Sequence, residues 1–454
     1  MKKLRFTILI GILILFGLSL LALGYGISKY GSISGLNRRI QIEIASLRPK
    51  KPVVVPTFVP VATVDTLAFM ANLATETSIS IQPTVNAVTP TSTEIIAKEK
   101  VEKEKVEEVV EPVEIETIEP VFEPTPLPTS TPNLLYSPVA PFVNLTGYRH
   151  NWQTWNNCGP ATLATYLSYL GKGVTQVETA AGLKPNESDK NVRVDEIVSY
   201  VEERFPDLVA TPLINGSPET LRLLLSNNFP VMLQTWLEEE PNDGMGHFRF
   251  LIGYDDSTAE WIVSDSFIST NVSSPYSGIR IENDRFSDHW QVFGNNYILI
   301  YRPEDSLLIN AIVGQNLDSD INHDQAVADY AQKLQQDDQN PFVWHTMGEL
   351  LMLDGRPEQA VQAYDQARTI GLPWRMFWYS FGVFEAYMAV ARYQDVVDLA
   401  DVTIQSGGAG EEVYYWKGVG HGAMGEKAKA DAAFRQALWW NPTHQASIDA
   451  LNGS

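Results

Sequence analysis

Cysteine is almost missing from this chain: Cys158 is the only one in 454 residues. No intramolecular disulfide is possible, so a disulfide-stapled scaffold is excluded, as is any zinc motif built on several cysteines. Basic residues are scarce too. Thirty-three Lys and Arg stand against 55 Asp and Glu, a formal charge of −22. That balance argues against nucleic acid as partner and for a solvated body. No glycine-rich phosphate loop is present, and His150, His323, His345, His421 and His444 show no paired metal-ligand spacing.

The charge is unevenly spread. Residues 1–51 hold nine Lys/Arg and one acid, Glu43, so about +8, and the remainder carries about −30. Lys2, Lys3 and Arg5 precede an uncharged stretch from Phe6 to Ser28, long enough to cross a hydrocarbon core as a helix. Residues 1–28 are therefore expected to be a transmembrane anchor, with a cleaved signal peptide as the competing reading. Lys29, Arg38 and Arg39 weaken the positive-inside contrast. The expected placement is a single-pass cell-membrane protein with its globular part outside the cytoplasm.

Residues 29–141 read as a Pro/Thr/Glu-rich disordered linker. Pro52, Pro56 and Pro60 punctuate valines, Thr, Ser and Pro dominate Gln82–Thr93, and Ala97–Glu111 is a charge run compatible with a short exposed helix. Thr125–Pro132 is low in complexity. Such a composition gives an extended tether whose job is reach.

Folded sequence resumes near Phe142. In Trp152–Gly171, Leu163, Tyr166, Leu167 and Leu170 recur at helical spacing, Gly171 ends the run, and Pro160 sits where a first-turn proline costs no hydrogen bond. Cys158 thus lies at or just before a helix N-terminus, where unpaired N–H groups and the helix dipole favour a thiolate. A lone cysteine is usually a small buried hydrophobe. Two features point the other way here: Gln153 five residues upstream, and a histidine in a strand context about ninety residues later.

Helices are expected over Arg193–Arg204 and Glu219–Ser226, the latter capped by Ser217. Strand-like runs follow at Pro230–Trp236, His247–Tyr254, Glu260–Asp265 and Asn296–Tyr301. Helices first and an antiparallel sheet second make an α+β domain over 142–303. His247 begins one strand and Asp265 ends the next, so antiparallel pairing brings the carboxylate to the imidazole. In a cysteine hydrolase the histidine takes the thiol proton, the acid fixes its tautomer, and a side-chain amide such as that of Gln153 stabilises the oxyanion. His289, in a DHW context before the last strand, reads as structural.

The block QxxxxCGPA from Gln153, the GHF at Gly246 leading through an apolar strand into GYDD, and the strand ending in Asp265 resemble the papain-like cysteine peptidases of the bacteriocin-processing type. Those domains cleave leader peptides after a double glycine. The resemblance spans roughly Phe142 to Pro303 and implies a papain-like fold. By it Cys158 is the nucleophile, His247 the general base, Asp265 the orienting acid and Gln153 the oxyanion donor. One departure is Ser266, where the family usually has proline after the aspartate; Asp255 and Asp256 are the fallback acids.

Beyond Pro303 the chain turns helical. Asn340–Leu372 carries Trp344, Gly348, Leu351, Gly355, Ala360, Tyr364 and Ala367, and Gly410–Pro442 repeats the scheme with Tyr414, Gly418, His421, Gly425, Ala430, Phe434 and Ala437. A degenerate copy between them keeps Trp378, Gly382, Tyr393, Val396, Ala400 and Thr403. Residues 304–454 resemble tetratricopeptide repeats, all-α units that lock small residues of one helix against large ones of the next. Their concave groove commonly holds a peptide or protein.

Two functions follow from this order. One is a membrane-tethered cysteine peptidase-like hydrolase, acting on a peptide or protein substrate, with a repeat module for protein binding. The other is a non-catalytic scaffold gripping a peptide or cell-wall component in the papain-like cleft. Acyl transfer to an amine is open beside hydrolysis. Acyl-enzyme chemistry needs no cofactor, so none is expected.

Overall fold

The computed structural model describes residue 24, residues 64–76 and residues 135–453, apart from 185, 187–188, 239–243, 269–275 and 408–409. The expected anchor over 1–28 and most of the expected linker over 29–141 lie outside the described residues. Among the described residues no helix is long and apolar enough to cross a membrane.

One segment of the expected linker is a helix instead. Helix α1 spans Thr66–Glu76, and Asp65 Oδ1 caps it by accepting from the N–H groups of Leu67 (3.0 Å) and Ala68 (3.2 Å). Phe69 is only 2% exposed, with its ring edge-on to Trp344 at 5.1 Å. Thr66 Oγ1 donates to Asp338 Oδ2 at 3.0 Å. Eleven residues are too few for a stable lone helix; burial of Phe69 is what holds this one. The apolar pattern LAFMANL was present in the sequence, hidden by its Pro- and Thr-rich surroundings.

The α+β half begins with β1 (Phe142–Asn144) and α2 (Cys158–Tyr169). There follow α3 (Gln176–Leu183), α4 (Val194–Arg204), β2 (Val209–Leu213), α5 (Pro218–Ser226), β3 (Val231–Leu237), β4 (Met245–Asp255), β5 (Glu260–Ser264), β6 (Ile279–Glu282), α6 (Asn283–Gln291) and β7 (Tyr297–Tyr301). The strands form one sheet in the order β2-β7-β3-β4-β5-β6, with β1 also on β4, and every pairing is antiparallel. All seven residues of β3 and all five of β7 are buried, so both faces of the sheet's centre are covered. The sequence marked four of these strands. Short β1, β2 and β6 carry too few alternating apolar residues to stand out.

Helix α2 lies on the sheet through Leu163, Tyr166 and Leu167, each at most 1% exposed. The Tyr166 hydroxyl donates to Pro230 O at 2.6 Å and accepts from Ile300 N at 2.8 Å. These bonds lock α2 to β7 and to the entrance of β3, and so fix the height of Cys158 above the sheet.

Past the 3₁₀ turn at Pro303–Asp305 come α7 (Ser306–Val313) and α8 (Ser319–Gln336), then three antiparallel hairpins. These pair α9 (Pro341–Leu353) with α10 (Pro357–Ile370), α11 (Gly382–Ala389) with α12 (Tyr393–Gln405), and α13 (Glu411–Ala423) with α14 (Lys427–Trp440). Helix α15 (Gln445–Gly453) closes the stack. A Cβ at Gly348 would meet the Tyr364 ring at 2.7 Å, and one at Gly418 the Phe434 ring at 2.5 Å. The small-against-large packing expected of the repeats is therefore present in the first and third units. In the middle unit α11 has only eight residues, and the turn after it uses Ala391 at φ 60° where its counterparts use Gly355 and Gly425. That non-glycine residue costs about 1 kcal/mol.

Residues Leu135–Ser454 fall within a single compact unit. The two halves meet through Trp236 and Phe342, with ring centroids 6.4 Å apart, through Phe293 and Tyr379 at 6.1 Å, and through Lys190 Nζ, 4.5 Å from the Trp378 ring centre.

Candidate active site

Cys158 is the first residue of α2, as its Gly-Pro sequel suggests. The turn before it is tightly tied. Asn156 adopts φ 57°, Asn157 Nδ2 donates to Thr154 Oγ1 at 2.7 Å, and Lys184 Nζ donates to Asn156 O at 2.6 Å and Asn157 Oδ1 at 3.2 Å. A Cβ at Gly159 would sit 3.3 Å from Val192 and 3.4 Å from the Phe248 ring, so any side chain there would press on both.

His247 lies in β4, opposite Thr235 of β3, and is 3% exposed. Its Nε2 is 3.0 Å from Asp265 Oδ1. Asp265 is the first residue past β5, which ends at Ser264 rather than at the aspartate itself. Its Oδ1 also accepts from the N–H groups of Phe267 (2.8 Å) and Ile268 (3.0 Å), and its Oδ2 from Arg249 Nε at 2.9 Å. Burial raises the Asp265 carboxyl, but His247 and Arg249 outweigh it and hold the group well below the usual carboxylate range. Burial likewise opposes charge on His247, while Asp265 and the Cys158 sulfur raise it above the ordinary histidine range.

The His247 ring also lies close enough to the Cys158 side chain to act on its ionisation. With Nε2 turned to Asp265, Nδ1 is left for the sulfur. Burial pushes the thiol up. His247, the Phe248 backbone and the Lys184 ammonium together bring it below its ordinary value. The net direction on all three groups favours a thiolate–imidazolium pair next to an ionised carboxylate.

Gln153 is held from the other side of the cleft. Its backbone N–H donates to Ser266 O at 2.9 Å, and its Oε1 accepts from Ser266 Oγ at 2.9 Å. That acceptor role fixes the amide orientation and leaves Nε2 as donor. The structure thus brings Gln153, Cys158, His247 and Asp265 to one place. The fallback acids are elsewhere: Asp255 pairs with Arg280 at 3.0 Å and Asp256 with Arg222 at 3.2 Å. Both lie some eight residues along from His247, on the order of 25 Å at strand rise. His289 is buried in α6, where burial lowers it to about 4.

Sequence reasoning missed four residues at this site. Arg249, 2% exposed, follows His247 by two and so shares its strand face, a signal the alternation did carry. Ser266 stood out only as a departure. Lys184 lies in a loop with no local mark. Tyr379 comes from the repeat half: its ring would meet a Cβ at Gly246 at 3.0 Å, and it is close enough to Cys158 for the two to interact electrostatically. Arg375 Nη1 in the same segment donates to Gly244 O at 3.1 Å.

A larger cavity, about 560 Å³, opens between residues such as Ser217, Trp290, Asp329 and Lys333. None of the four candidate residues lines it, so volume is no guide to the chemistry here.

Comparison with known proteins finds similarity over part of the chain. The Peptidase_C39 like family matches residues 141–298. No curated protein matches. Among solved structures, a protein described as a C39-like peptidase from Bacillus anthracis is 20% identical and covers 36% of this chain and 98% of its own, with a TM-score of 0.29. A double glycine motif protease from an AMS/PCAT transporter, in complex with the leader peptide, is 17% identical over 35% of this chain and 98% of its own, with a TM-score of 0.25. YrrB, a TPR protein with an unusual peptide-binding site, is 19% identical over 30% of this chain and 87% of its own, with a TM-score of 0.18. The stretch 141–298 is a Peptidase_C39-like, papain-like domain, and a helical region follows it.

Proposed function

We propose that this protein is a cysteine peptidase-like hydrolase of peptides or proteins. The observation that carries the reading is the chain of contacts from the Cys158 side chain to His247 and from His247 Nε2 to Asp265 Oδ1 at 3.0 Å. In the proposed cycle the Cys158 thiolate attacks the scissile carbonyl carbon, and the developing oxyanion accepts from Gln153 Nε2 and from N–H groups at the start of α2. The imidazolium of His247 gives its proton to the leaving amine, the C–N bond breaks, and an acyl-thioenzyme remains. Water, deprotonated by His247, then attacks the thioester and restores the thiol; an amine in its place gives transfer. Asp265 stays ionised and holds the ring. Arg249 and Lys184 act on these groups as positioning residues.

The repeats are proposed to bind protein, and residues 1–28 to anchor the chain in the cell membrane with the remainder outside the cytoplasm. A second reading, a non-catalytic peptide-binding scaffold, draws on the Tyr379 ring beside the catalytic pair. The two separate in one experiment. The full chain is incubated with a peptide library, and its mass is followed together with the new peptide N-termini. The hydrolase gives an acyl adduct on Cys158 and cleaved peptides, both lost in Cys158→Ala. A scaffold retains peptide equally well in both proteins and cleaves none.

A further inference from the structure

Three carboxylates converge where the catalytic half meets the repeats. Glu196 comes from α4, Glu411 and Glu412 from the first turn of α13, and one oxygen of each lies within 4.8 Å of the other two. Glu411 is 3% exposed and Glu412 6%; Asp189, at 5%, is buried next to them. Arg193 faces the cluster, its Nη1 3.5 Å from Glu412 Oε1, and the Lys184 ammonium acts on Asp189. Arg193 Nε and Nη2 are bound to Asp195 at 2.9 and 2.7 Å. Lys190 turns its ammonium onto the Trp378 ring. Carboxylates this close together and this buried are costly to ionise at once unless something compensates their charge.

A separate observation says what is wanted. Glu411 Oε1 accepts from Asn441 Nδ2 at 3.0 Å, but its Oε2 is buried with no hydrogen-bond partner. Beside the cluster is a cavity of about 10 Å³, lined by Asp189, Lys190, Asn191, Gly410 and Glu412 among others, room for one water-sized sphere; of the three clustered glutamates, Glu412 is the one that reaches it. A Cβ at Gly410 would lie 3.3 Å from Glu412 Oε2 and 3.7 Å from Asp189 Oδ1, so the absent side chain keeps that space open.

We propose that Glu196, Glu411 and Glu412 bind a divalent cation, calcium by its chemistry, that joins the repeats to the catalytic half. All the donors are oxygens, which selects a hard cation. Magnesium gives up its water reluctantly and is seldom held by an all-protein cage, whereas calcium takes several carboxylate oxygens directly, so a buried carboxylate set favours calcium. The ligands come from both halves, so the ion acts as a clamp. The segment that leads into α4 also carries Lys184, which bonds the turn before Cys158. The clamp does not depend on the proposed peptidase activity.

The test is calorimetric titration of the chelator-stripped full chain with CaCl2, repeated with MgCl2, alongside melting curves. Calcium should bind at one site more tightly than magnesium and raise Tm. Glu411→Gln and Glu412→Gln should each weaken calcium at least tenfold, while Glu202→Gln, exposed on the same α4, should leave it unchanged. No saturable binding of calcium to the wild-type chain overturns the proposal, however the variants fold. Binding left unchanged by both Gln variants overturns it too, since the ion is then elsewhere.

Discussion

The Tyr379 ring lies against Gly246, so near that a Cβ there would meet it at 3.0 Å, and Gly246 immediately precedes His247. The segment that delivers Tyr379 is Trp374–Trp378 and the residues after it, a 3₁₀ turn that leads into α11. The middle repeat is short at the point where its chain reaches the α+β half. Tyr379→Ala is expected to raise the rate of Cys158 alkylation severalfold by opening the approach, and Tyr379→Phe to leave most of the cover in place. Stopped alkylation time courses with both variants measure this. Equal rates in all three proteins would mean that the ring does not shield the sulfur.

Asp265 compensates two buried cations at once, His247 through Oδ1 and Arg249 through Oδ2. Asp265→Ala strands both and should destabilise the protein by about 3–5 kcal/mol, read as a lower urea midpoint. Asp265→Asn keeps the volume and part of the hydrogen bonding, so its loss should be smaller. A midpoint unchanged in Asp265→Ala would show that Arg249 and His247 are compensated otherwise.

Ser266 occupies the position next to the acid where proline is usual in the resembled peptidases, and here its hydroxyl holds Gln153 Oε1. Gln153→Ala should lower kcat for peptide cleavage by about 10²–10³-fold if its amide is an oxyanion donor. Ser266→Ala should lower kcat less, with KM and the Cys158 alkylation profile unchanged, because only the orientation of that amide is relaxed. An alkylation profile that moves in Ser266→Ala would place the serine's effect on the sulfur instead.

Phe69 anchors α1 by its contact with Trp344. Phe69→Ala removes a buried aromatic, worth about 3–5 kcal/mol in a core, and the helix should come off while the repeats stay folded. Limited proteolysis should then cut within 64–76 much faster than in the wild-type chain, with the repeat region surviving. Unchanged cleavage there would contradict the anchoring role.

Much of this was legible because it is local. The helix end at Cys158, the Ser217 cap and the glycine–aromatic pairs of the first and third repeats each depend on residues close in sequence. The meeting of His247 with Asp265 needed only that two neighbouring strands pair antiparallel. What could not be read was long-range. Tyr379 reaches Gly246 across 133 residues, and Arg193 meets Glu412 across 219. No periodicity marks such pairs. Helix α1 was missed for a different reason: its stability comes from Trp344, not from its own eleven residues.

The signs of the charge shifts set two different pH profiles. Cys158 is lowered, so thiolate appears as pH rises through a value below the ordinary thiol range. His247 is raised, so the imidazolium persists until pH passes above the usual histidine range. Alkylation should therefore rise once and stay high, while peptide cleavage, which also needs the imidazolium proton, should fall again at higher pH.

The most direct test is the rate of iodoacetamide reaction at Cys158 as a function of pH, in the full chain and in His247→Ala. An activated pair gives a midpoint clearly below the free-thiol value of about 8.5, and removal of His247 moves it upward because burial is then opposed only by the weaker effects of the Phe248 backbone and Lys184. A Cys158 that reacts only above that value, with the same profile in His247→Ala, would contradict the catalytic assignment.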